Sequence, residues 1–150
     1  MNQPLYTTEI LRLAASLSEP RELHRKDGTA ELRSPTCGSR VRTAVQAGAD
    51  GRLEALSQQV HACAFGQASA AILERGAGGR TTGEVQEAVT AISEWLDGSP
   101  EEPQWPGIAA LAPARSRRSR HAAILLPFRS LAAALSEASE RCRRDNPRAP

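Results

Sequence analysis

The sequence predicts an α+β domain in which a three-stranded antiparallel sheet packs against helices, with one helix at the N-terminal end and a long one at the C-terminal end. Three observations carry this prediction. The strand-like segments fall together and precede most of the helices, rather than alternating with them. Within residues 40–47, Val41, Thr43 and Val45 alternate with Arg40, Arg42 and Gln46, the period of a half-buried strand. The stretch Gly48-Ala49-Asp50-Gly51 follows at once and reads as a hairpin turn. A chain of 150 residues, 40% of them hydrophobic, is long enough for one real core. Aromatics make up only 3%, so that core must be built from Leu, Ala, Val and Ile.

Thr7 or Thr8 caps a first helix, whose Ile10, Leu13, Ala14 and Leu17 form a single apolar stripe. Pro20 lies just past its end. A charged stretch over residues 19–28 ends in the turn signal Asp27-Gly28. The strands are expected at Thr29 to Ser34, Arg40 to Ala47 and Arg52 to Ala64. An Ala-rich helix from Gly66 to Arg75 ends in Gly76-Ala77-Gly78-Gly79. Thr81 and Glu84 have capping-box spacing, and Val85, Ala88, Val89, Ile92, Trp95 and Leu96 then mark one helical face. Residues 99–119 hold Pro100, Pro103, Pro106 and Pro113, and read as an ordered connector with a turn of helix near Ile108 to Leu111. A last helix runs from about His121 to Arg141, burying Leu125, Phe128, Leu131, Ala132 and Leu135. Pro127 fits only a first turn, which sets the start near residues 122–126. The domain is expected over residues 1–142, with 143–150 a frayed tail.

Several function classes are set aside. A net charge of +2 argues for neither nucleic acid nor membrane as partner. The run Arg115-Ser116-Arg117-Arg118-Ser119-Arg120 has no interleaved aromatic and reads as a solvated face. The N-terminus lacks the pattern of a signal peptide, and no stretch approaches ~20 apolar residues, so a soluble cytoplasmic protein is expected. The cysteines Cys37, Cys63 and Cys142 are too few and too irregular for a disulfide framework, and no CxxC pair occurs. Glu101-Glu102 lacks a partner for acid/base work, and no GxSxG, HExxH or P-loop spacing is present. The expectation is a protein that is not an enzyme.

Three short stretches carry the remaining chemistry. Pro35-Thr36-Cys37-Gly38 lies between the first two strands. Phe65-Gly66-Gln67-Ala68-Ser69-Ala70 follows the third. Arg120-His121-Ala122 opens the last helix. A meander carrying these stretches resembles the NifU-like, or IscU, family of iron-sulfur cluster assembly scaffolds, over nearly the whole chain. In that family the three loops present Cys-Gly-Asp, Gly-Cys-Gly/Ala-x-Ser/Ala, and His-Cys or Lys-Cys at one end of the molecule.

The resemblance implies Cys37 and His121 as ligands of an iron-sulfur cluster, or of iron or zinc. It implies equally that three ligand positions are lost: Ser39 replaces the aspartate, Gln67 the second cysteine, and Ala122 or Ala123 the third. The chain resembles a degenerate member lacking two of three ligand cysteines. The implied partners are a cysteine desulfurase and other cluster-assembly proteins. Two helix N-termini, at Gln67 to Ser69 and at His121 to Ala123, would face Cys37 and favour its thiolate. Cys63 lies four residues before Gln67, about 13 Å along an extended chain, and reads as a packed thiol. Cys142, near an arginine-rich end, reads as a bystander, and His24 and His61 match no motif and read as structural. The alternative function is a metal-free protein-interaction or regulatory module, and a third is sulfur acceptance by Cys37 alone.

Overall fold

The structure, a computed structural model, describes residues 6–36 and 38–145. Helix α1 (Thr8–Ala15) precedes strands β1 (Gly28–Arg33), β2 (Arg40–Ala47) and β3 (Leu53–His61). Helices α2 (Ala64–Gly76) and α3 (Thr82–Leu96) follow, then two 3₁₀ segments (Ile108–Ser116 and Arg118–Arg120), then α4 (His121–Asp145). The strands form an antiparallel sheet in the order β1-β2-β3. This is the α+β architecture that the strand-then-helix order predicts.

Register decides which face of the sheet is covered. Val41 stands opposite Leu32 and Val60, and Thr43 opposite Ala30 and Gln58. Val41, Thr43 and Val45 are fully buried beneath α4, where the Thr43 and Ser130 hydroxyls bond at 2.7 Å. Arg40, Arg42 and Gln46 point the other way, as period two requires. The core above the sheet is aliphatic, with Ile10, Ile72, Leu73, Ile92, Leu111, Ile124, Leu131 and Leu135 at 0–1% exposure. Two aromatic contacts supplement it: Tyr6 on Phe65 at 5.1 Å and Trp105 edge-on to Phe128 at 5.0 Å.

The local signals act as their chemistry suggests. The Thr7 hydroxyl accepts from the Ile10 N–H and starts α1. The Thr81 hydroxyl accepts from the Glu84 N–H and donates to the Glu84 carboxylate, so the cap closes through the hydroxyl itself. The proline-rich connector is pinned by Trp105, whose indole N–H donates to the Ile72 carbonyl while the Arg80 guanidinium stacks on its ring at 3.9 Å. Among the described residues, no helix is long and apolar enough to cross a membrane.

Several boundaries differ from the sequence reading. β3 ends at His61 and α2 begins at Ala64, two residues ahead of Gly66. The helical turn of the connector extends over Ile108–Ser116. α4 starts at His121, so Pro127 is its seventh residue rather than part of its first turn. Without an N–H at Pro127, α4 cannot make its usual bond to the Ala123 carbonyl. α4 also continues to Asp145, into the segment expected to fray.

Candidate functional site

The first stretch is a tight turn built from backbone and hydroxyl bonds. The Ser34 N–H donates to the Ser39 carbonyl at 2.8 Å, and the Gly38 N–H donates to the Ser34 carbonyl at 3.2 Å. Ser34 and Thr36 share a hydroxyl bond at 3.2 Å. Gly38 has φ of 72°, a left-handed conformation natural to glycine, which explains the Cys-Gly order in this turn. Ser34 and Ser39 are buried, while Pro35, Thr36 and Gly38 are exposed. Cys37 itself lies outside the described residues.

The second stretch leaves the sheet from the same end, because the pairing of β2 with β3 ends at Arg40 opposite His61. Cys63, in extended conformation, is the N-cap residue of α2, and its carbonyl accepts from the Gln67 N–H at 3.0 Å. The Gln67 side chain turns back to donate to the Ala62 carbonyl at 3.1 Å. The sequence reading set Cys63 aside as about 13 Å from Gln67. That distance assumed extended chain, whereas one helical turn rises only ~6 Å over four residues. Cys63 therefore shares the N-terminal turn of α2 with Gln67.

The direction of α4 brings the third stretch to this end. The Ala134 carbonyl rests on Gly28, opposite Val45. The Ser130 hydroxyl reaches Thr43 and also the Val41 carbonyl. Moving back along α4 thus moves along β2 toward Arg40 and the turn. The first turn of α4 then meets α2. A Cβ on Gly66 would lie 2.5 Å from the Ala62 Cβ and 3.3 Å from the Ala123 carbonyl, so only glycine permits this approach. Buried Ser69 donates to the Ile124 carbonyl at 2.6 Å. Ala123 is 1% exposed against Gly66, whereas Ala122 is half-buried. Of the two candidate registers, Ala122 is the more accessible.

His121 is held differently from a free ligand. Its Nε2 lies 3.0 Å from the Ala114 carbonyl and 3.2 Å from the Arg115 carbonyl. A neutral ring protonated there donates to both. Its Nδ1 stands 3.7 Å from the Asp97 carboxylate. The ring therefore straps α4 to the 3₁₀ segment, with Nδ1 facing the end of α3, and an ion at Nε2 would have to displace those bonds. Among the described residues, no group of three or more His, Cys, Asp or Glu is placed to hold a metal ion.

The sequence reading missed two structural roles. Ser69, a lone hydroxyl in an Ala-rich helix, bolts α2 to α4. Arg115, assigned to a solvated run, donates to the Trp95 carbonyl at 2.8 Å and the Ser99 carbonyl at 2.6 Å. No local pattern marks Arg115, while a single buried serine among alanines was a readable signal for Ser69.

No family model matches the sequence, and no curated protein matches it. Among solved structures, the N-terminal part of a nitrogen-fixing NifU-like protein from Brucella abortus is 30% identical to it. That match covers 91% of this chain and 95% of the other, with a TM-score of 0.81. The chain belongs to the NifU-like family. A protein from Fervidobacterium islandicum, named as a candidate iron-sulfur cluster assembly scaffold for the SUF system, superposes with a TM-score of 0.76. It is 20% identical over 87% of this chain and 96% of its own, and shares the fold. A hypothetical protein does so at 17% identity, TM-score 0.68, over 85% of this chain and 94% of that one. In this NifU-like chain the three segments that lie at one end carry Ser39, Gln67 and Ala122.

Proposed function

We propose that this NifU-like chain serves iron-sulfur cluster assembly as a non-enzymatic scaffold or accessory protein. The observation that carries the reading is the convergence of the 34–39 turn, the first turn of α2 and the first turn of α4 at one end. The cluster is cargo in this reading, held through Cys37 with His121 as a second donor once its ring is released. Cys63, on the same helical turn as Gln67, is a further thiol within the region. Clusters are usually held by four ligands, mostly thiolates, so cargo here is held weakly and its shell is completed from outside the chain. Sulfur would come from a cysteine desulfurase.

Anaerobic reconstitution with ferrous iron and sulfide tests the proposal, with iron and sulfide counted per chain. The native protein should load below stoichiometry, Cys37→Ser should abolish loading, and Cys63→Ser should lower it. If Cys37→Ser loads as well as the native chain, the cargo role fails, and a metal-free interaction module is the better reading.

A further inference from the structure

Sheet register sets three basic side chains in one row at the end where the 34–39 turn departs. Arg33 stands opposite Arg40, and Arg40 opposite His61. All three project from the face turned away from α4, since the intervening Leu32, Val41 and Val60 face it. Like charges directly opposite one another in an antiparallel pair are destabilising. Among the described residues, Glu31 answers the row, 3.5 Å from Arg40 and 3.5 Å from Arg42. Arg33 and His61 are exposed, and the Arg42 side chain is 62% exposed.

A second group of cations flanks the same end. The 3₁₀ segment Arg118–Arg120 leads directly into the first turn of α4. Arg117 and Arg118 are exposed and Arg120 is half-buried. Asp97 is the carboxylate beside this group, through its contact with His121. Glu9, in the first turn of α1, also lies near this end, because Tyr6 just before it stacks on Phe65 in the first turn of α2. Six arginines thus stand with the three carboxylates Glu9, Glu31 and Asp97, a local excess of positive charge in a chain whose formal total is only +2.

We propose that this end is a docking surface for an acidic protein segment, whose carboxylates pair with Arg33, Arg40 and Arg42 on the sheet and with Arg117 and Arg118 beside α4. Such a partner relieves the repulsion between Arg33 and Arg40, which stand directly opposite one another in the free protein. The chemistry favours polypeptide over nucleic acid. Phe65, Trp95, Trp105 and Phe128 are buried and Tyr6 is stacked on Phe65, so none of the five aromatic rings is offered to a base. Complementary charge of this kind speeds encounter and weakens with salt. The inference needs no cluster, and it stands or falls apart from the cargo role.

The test is fluorescence anisotropy of the intact protein with a labelled peptide of alternating Glu and Gly. A Lys/Gly peptide and a single-stranded DNA of equal formal charge serve as comparisons. The acidic peptide should bind at low salt, weaken by roughly tenfold or more in 0.5 M salt, and weaken similarly to the Arg33→Glu, Arg118→Glu double variant. Lys26→Glu, near the opposite hairpin, should leave binding within about twofold. Arg33→Gln with Arg118→Gln removes the charges without reversing them, and circular dichroism checks that each variant is folded. Equal binding to native and double variants, insensitivity to salt, or tighter binding of the DNA than of the acidic peptide would each overturn the proposal.

Discussion

Ser69 and Ser130 each join elements distant in sequence through one buried hydroxyl. Ser69→Ala removes the hydroxyl that ties α2 to the Ile124 carbonyl of α4. A loss of ~0.5–1.5 kcal/mol is expected in urea unfolding. Ser130→Ala and Thr43→Val should each destabilise, because each removes the buried 2.7 Å hydroxyl bond, the second less so because Ser130 keeps the Val41 carbonyl as acceptor. The double substitution should recover part of the combined loss, and a double-mutant cycle measures the coupling. His121→Ala should lower the stability of metal-free protein, because the ring holds two backbone carbonyls and faces Asp97. A stability unchanged by that substitution would show the strap to be dispensable.

At the level of elements, the ends of α2, α3 and α4 matter more than their middles. The entry to α3 depends on one hydroxyl, so Thr81→Ala should cost ~1 kcal/mol by thermal or urea unfolding. The exit from α3 and the connector depend on Arg115, which clamps the Trp95 and Ser99 carbonyls and lies 5.1 Å from the Trp95 ring. Arg115→Ala should raise amide hydrogen exchange selectively over the connector after α3, leaving the sheet protected. Uniform loss of protection would instead assign Arg115 a role in global stability. α4 keeps its course through Pro127 because the ring and its neighbours are buried, and burial outweighs one missing helical bond.

For the molecule as a whole, the sheet and α4 bring the 34–39 turn and the first turns of α2 and α4 to one end. If the placement is intact, Ser39→Asp, Gln67→Cys and Ala122→Cys together should raise zinc or ferrous affinity by orders of magnitude in a chelator competition. Each substitution alone should do much less, since chelation is cooperative among fixed donors. The parallel set with Ala123→Cys should gain little, because that position is packed against Gly66. Ser39 is 4% exposed, so an unpaired aspartate there should destabilise the metal-free protein and be rescued by the ion. Failure of both combined variants to bind more tightly than the native chain would mean that the loops no longer close on one ion.

The bounds of β2 and the start of α3 were legible in the sequence, because alternation and capping act between residues a few positions apart. The α+β class followed from the same local signals taken in order. The convergence of the three stretches came from a family resemblance, and the directions of β2, β3 and α4 account for it physically. Tertiary structure alone decided the rest. It started α2 at Ala64 and so drew Cys63 to within one turn of Gln67. It carried α4 through Pro127, turned the His121 ring toward the Ala114 and Arg115 carbonyls, and drew Arg115 out of its basic run. It also lined Arg33, Arg40 and His61 across three strands, an alignment that composition averages away. Each of these outcomes depends on contacts between segments distant in the chain, where burial and hydrogen-bond satisfaction outweigh local preference.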